Sequence, residues 1–148
     1  MRYGVTSLLC LAAACSSHTD PEQVPVTVTL RGPGVVTGTW TRVDTSRVLS
    51  CAYDLAATVR GGRADEPVEW TGATIRLEAP PALPATQEHA AARVAEWFAA
   101  AAAAPGTPAI TRQTVGREAP FTAEYQVRYR PTRGAPSSAT AVVQCRAP

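Results

Sequence analysis

The chain has 148 residues, with 14 basic residues against 12 acidic ones and a formal charge of +2. Every basic residue is arginine, and charges of both signs are scattered without runs, which excludes an electrostatic footprint for nucleic acid or an anionic membrane surface. Arginine without lysine, beside heavy use of alanine, reads as a genomic composition bias and not as recognition chemistry.

Met1-Arg2 gives a positive start, Val5 through Ala14 an apolar core, and Ala12-Ala13-Ala14 small residues at a cut site. These are the three parts of an export signal. The core is too short to span a bilayer, which takes about 20 residues, so residues 1–14 are expected to be removed. With Cys15 next, the segment resembles a bacterial lipobox, although Ala12 stands where Leu is commonest. The resemblance implies acylation of Cys15, export, and the membrane as a partner through the lipid. Ser16, in the place where Asp can signal inner-membrane retention, implies the outer membrane or cell surface. Plain secretion is the alternative.

Removal of residues 1–14 takes Arg2 and Cys10 with it, lowers the formal charge from +2 to +1, and leaves Cys15, Cys51 and Cys145. Acylation would occupy the odd cysteine and leave Cys51 and Cys145 to pair in an oxidising compartment. That bridge would close a loop of about ninety residues, valued at about 4 to 5 kcal/mol by chain entropy. Two buried thiols are the alternative. Residues 15–23 contain a polar run without periodicity and read as a flexible tether. Residues 24–148 are enough for one domain.

Through that domain the main signal is period-two alternation, which puts one set of side chains on a buried sheet face. Val24, Val26, Val28 and Leu30 mark a first strand, placed at a sheet edge by Pro25. Val36, Gly38 and Trp40 continue as a second strand. Leu49, Cys51, Tyr53, Leu55, Ala57 and Val59 form the best-patterned strand and aim Cys51 inward. Val68 and Trp70 share one parity and Ile75 and Leu77 the other, so a β-bulge at Gly72 is expected between them. Thr86–Ala104 carries Ala90, Val94, Trp97, Phe98 and Ala101 at helical spacing, with Thr86 as N-cap and Pro105-Gly106 as a stop. The alanines from Ala99 to Ala104 have the highest helix propensity, and Trp97 and Phe98 are expected to dock the helix on the sheets. Ile110–Val115 is a weaker strand. Phe121 to Tyr129 and Ala139 to Cys145 alternate cleanly across a loop at residues 131–136.

Short strands, the order Cys51, Trp70, Cys145 and the turn spacing resemble an immunoglobulin-like antiparallel β-sandwich, here with one inserted α-helix at about residues 86–104. Val143 stands where that family places a Tyr two residues before its second Cys, and the helix is foreign to antibody-type domains.

The expected protein is therefore mainly β, and chemistry is harder to find. His18 falls in the tether and His89 in the first helical turn, where each reads as solvated. No nucleophile elbow, phosphate-binding loop or clustered metal ligands occur, so no catalytic residue, metal or cofactor is expected. Asp65, Glu66 and Glu69 before Trp70 are the only carboxylate group suited to a hydrolase or calcium site, and read first as a solvated turn. Asp54 reads as a surface charge. Trp70 and Trp97 read as core, and Trp40 with Arg42 is the candidate contact surface. Three functions follow in order: a non-catalytic envelope lipoprotein that contacts an unidentified envelope protein or glycan or acts as a spacer; a carrier of a small apolar ligand between helix and sheet beneath Trp97 and Phe98; and a carboxylate hydrolase.

Overall fold

Alternation gives each long strand one apolar face, and two sheets bury those faces against each other. The computed structural model describes residues 24–62 and 67–148. In chain order its elements are β1 (Thr27–Arg31), β2 (Val35–Thr37), β3 (Thr39–Val43), β4 (Ser46–Arg60), β5 (Val68–Glu78), β6 (Ala85–Ala90), α1 (Ala91–Ala103), β7 (Ala109–Arg117), β8 (Phe121–Pro131) and β9 (Ser137–Arg146). One sheet centres on β4, with β7 along one side and β1 and β3 end to end along the other. The second runs β2-β9-β8-β5-β6. Pairing is antiparallel except between β2 and β9, which are parallel. The fold is thus a mainly β, sandwich-like pair of sheets with one helix.

From β4, Leu49, Cys51, Tyr53, Leu55, Ala57 and Val59 enter the core; from β8, Phe121, Ala123, Tyr125, Val127 and Tyr129 face them. Three links tie the sheets together. Cys51 and Cys145 form a disulfide between β4 and β9. The Tyr53 and Tyr125 hydroxyls share a hydrogen bond of 2.6 Å, their rings edge to face with centroids 6.2 Å apart. The backbone N–H of Val28 donates to the Tyr129 hydroxyl at 3.2 Å. Burial pushes the Tyr53 hydroxyl pKa up and does the same to Tyr125, where the Tyr53 hydrogen bond adds to the rise. Both phenols are therefore held neutral.

The bulge is where the change of parity puts it: the β5–β8 register shifts between Trp70 and Gly72. Gly72 has φ +147, and a Cβ there would lie 2.9 Å from the Arg128 guanidinium. The expected second strand divides in two. β2 pairs with β9 in one sheet, and β3 returns to β4 in the other. Gly38 is the crossing point, because a Cβ there would come within 2.8 Å of Leu49 and 2.9 Å of the Cys51 sulfur.

The helix begins five residues later than Thr86. Residues 85–90 are β6, paired with β5 from Leu77↔Ala85 to Gly72↔Ala90, and the N-cap is Ala90, which makes no side-chain cap. The free edge of β5 satisfies this backbone through ladder hydrogen bonds, a tertiary contact that overrides the local signal. Val94, Phe98 and Ala101 are the buried residues of α1, and the helix kinks at Phe98 (φ −129, ψ 21). By packing on β5 and β7, α1 closes the flank of the sandwich opposite the disulfide.

Candidate functional site

Along α1, Ala91, Ala95, Ala99 and Ala103 recur every four residues and share one face. This face and Ala92 and Ala102 form one wall of a groove of about 540 Å³, whose other wall is the start of β5 from Pro67 to Trp70. Trp70 and Val68, each 5% exposed, lie deepest in it. The Trp70 ring is wedged against Phe98 at 5.6 Å and Tyr129 at 6.5 Å. Its Nε1–H is buried with no acceptor among the described residues, a state that ordinarily costs about 1–3 kcal/mol.

The groove lies between the helix and the sheet, but not beneath Trp97 and Phe98. Phe98 is fully buried against Trp70, and neither Phe98 nor Trp97 lines the groove. The aromatic side of α1 fills its share of the core, while the alanine side is too short to reach β5. A second cleft, of about 730 Å³, lies at the opposite end between Val48, Ala79, Pro81 and the β7–β8 turn. No buried unpartnered polar atom lines it.

His89 stands on β6, half-buried, with its ring 4.9 Å from Trp97. It is not a solvated residue of a helical turn. Trp97 is itself only half-buried, at the edge of the core that was expected to enclose it. Neighbouring Glu88 also belongs to the strand: Thr74 donates to its Oε1 at 2.8 Å and Arg128 to its Oε2 at 3.0 Å. The Thr74 hydroxyl, followed by Arg128, holds the Glu88 carboxyl below its usual range. Arg128 reaches across β5 because Gly72 has no side chain in its path. The trio comes from three strands, so no sequence motif announced it.

Trp40 is half-buried and packs against the core, with the Arg47 guanidinium 4.9 Å from its ring centroid. Arg42 is exposed and pairs with Arg47 in the β3–β4 register, so Trp40, Arg42 and Arg47 share one face of that hairpin. Asp54 is a surface charge paired with Arg112 at 3.1 Å. Glu69 lies 3.8 Å from Arg130 on the surface. Asp65 and Glu66 lie outside the described residues, as do Cys15, His18, the signal and the tether. Among the described residues, no group of three His, Cys, Asp or Glu side chains is placed to hold a metal ion.

Taken together, these features define a disulfide-bridged β-sandwich flanked by a groove-forming helix. No family model matches the chain, and neither the curated proteins nor the solved structures contain a significant match to it.

Proposed function

We propose that the chain is a non-catalytic module of the cell envelope, exported by residues 1–14 and anchored through acylated Cys15. The observation that carries this reading is the Cys51–Cys145 bridge, which uses both cysteines of the described domain. Such bridges form and persist in oxidising compartments outside the cytoplasm. Cys15 is then the unpaired cysteine after signal removal, immediately behind the small-residue cut site.

The immunoglobulin-like reading of the sandwich is supported by sheet order. β4, β5, β8 and β9 fall where strands B, C, F and G do, and Trp70 is buried on the C-like strand. The bridge departs from that pattern by joining B to G and not B to F. In this reading the Trp40–Arg42–Arg47 face is a contact surface for an envelope protein or glycan. The groove favours a second reading, a carrier of an apolar ligand, because its volume exceeds the roughly 300 Å³ at which ligand pockets begin.

Intact mass and thiol titration of the protein exported by a bacterial host with its own signal test the proposal. The expected product begins at Cys15, carries acyl mass and has no free thiol. An unacylated chain, or free Cys51 and Cys145, overturns it.

A further inference from the structure

We propose that Arg42 and Arg47, at the tip of the β3–β4 hairpin, bind the anionic groups of an acidic glycan, carboxylate or phosphodiester, a ligand class that rests on the contact-surface reading above for its envelope source. Elsewhere on the same sheet a directly opposed pair carries opposite charges: Asp54 faces Arg112 in the β4–β7 register, and their side chains meet at 3.1 Å. At the hairpin tip the ladder instead sets Arg42 directly opposite Arg47, an arrangement that is destabilising for like charges. Both side chains are exposed, and neither has a carboxylate within ion-pair distance among the described residues. Asp44, in the turn that joins the two strands, is in no ion pair either. An oxyanion held between the two guanidiniums removes the repulsion and supplies the missing acceptor.

The second observation is that one of the two donors is held in place. The Arg47 guanidinium lies 4.9 Å from the centroid of the Trp40 ring, and Trp40 packs against the core. Stacking fixes the planar fork, so less side-chain freedom is lost when an anion binds. Pairing of β7 with β4 stops at Leu49↔Arg117, and the Arg42–Arg47 row runs past it.

Place and size select the partner. The Val24 carbonyl accepts from the N–H of Gly62 at 2.9 Å, so residues before Val24 depart from the Arg60 end of β4. Most of β4 separates Arg47 from Arg60, about 40 Å along the strand. A chain tethered through Cys15 therefore presents the arginine pair away from its own membrane, toward envelope polymers and not toward lipid headgroups. Trp40, Arg42 and Arg47 alone cover far less than the about 800 Å² per partner of a stable protein–protein interface. A charged sugar repeat is small enough for them to grip, and repetition along a polymer multiplies the contact.

The test uses the full exported chain carrying Cys15→Ser, at low ionic strength, where exposed charges are least screened. It is titrated with decagalacturonate, its fully methyl-esterified form, a glycerol-phosphate decamer and a glutamate decamer. The expected result is saturable binding of decagalacturonate or of the glycerol-phosphate decamer, about tenfold or more tighter than that of the ester and the glutamate decamer. The tighter of the two names the anion. Arg42→Glu turns the opposed pair into an ion pair and should keep or raise the melting temperature while weakening binding about tenfold. Arg47→Gln should weaken binding similarly, and Arg60→Gln, which removes a charge at the far end of β4, should leave it unchanged. Equal binding of decagalacturonate, the glycerol-phosphate decamer and the ester, affinity that survives Arg42→Glu, or an equal loss in Arg60→Gln overturns the proposal. Equal binding of the glutamate decamer transfers the site to an acidic protein and overturns the glycan. An unacylated product in the mass measurement defeats the anchored reading and the orientation drawn from it, while the titration still decides the ligand.

Discussion

The two flanks of the sandwich are closed with opposite materials. On one, the chain crosses between sheets at Gly38, the Cys51–Cys145 bridge spans them, and the crossing is so tight that Gly38 has no room for a side chain. On the other, α1 covers the gap between β5 and β7 with Val94, Phe98 and Ala101 inward and alanines facing β5. The first flank is closed at the crossing by Leu49 and the Cys51 sulfur. The second is anchored by one large aromatic and leaves a groove beside it. Open space on this second flank follows from side-chain size along one helix, and not from a missing element.

The sharpest way to break the comparison is to open the tight flank. Replacing Cys51 and Cys145 together by Ala should lower unfolding free energy by about 4 to 5 kcal/mol by the chain-entropy argument, read from urea denaturation. A loss near zero would mean that the strand crossing alone holds that flank. Next is Phe98→Ala on the helical flank, expected to cost about 3 to 5 kcal/mol because its ring is the largest fully buried side chain of α1. Hydrogen exchange should then show α1 opening before β4 and β8. If all elements exchange together, the two flanks are one cooperative unit.

Between the flanks, Tyr125→Phe removes the partner of the buried Tyr53 hydroxyl, for a smaller loss of about 1–3 kcal/mol. The same pair sets an alkaline limit. Both phenols titrate higher folded than their ordinary value of 10.0, so the folded state binds more protons and stability must fall as pH rises past that value. Melting temperature measured from pH 8 upward should drop earlier and more steeply in the native chain than in Tyr53→Phe/Tyr125→Phe.

The smallest effect is expected at the exposed Thr74–Glu88–Arg128 cluster. Glu88 titrates lower folded than its ordinary 4.5. Its contribution is therefore present above that pH and lost as pH falls through the folded value. Glu88→Gln should flatten the acid limb of a stability profile between pH 5 and 2, with little change at pH 7.

The long strands were legible because burial on one face imposes a period of two, and β4, β8 and the β5 bulge follow from apolar parity alone. Cysteine counting anticipated the bridge. β6 was not legible, since Thr86, Glu88 and Ala90 carry ordinary helix-start residues and became a strand only because the edge of β5 lay within reach. The β2–β3 division was hidden for a related reason: Val36, Gly38 and Trp40 alternate without a break while the backbone changes sheets. Of the candidate site, Trp70 and the alanines were visible as residues, but their facing each other was not.

By itself, the sequence determined the class of structure, the two cysteines available to pair and the apolar face of each long strand, because these depend on local period and residue type. The tertiary structure decided which edge captured residues 85–90, which strands brought Thr74, Glu88 and Arg128 together, and which side of α1 faced β5. Those outcomes depend on pairing between segments distant in the chain, where backbone hydrogen bonds and shape, and not local propensity, set the free energy.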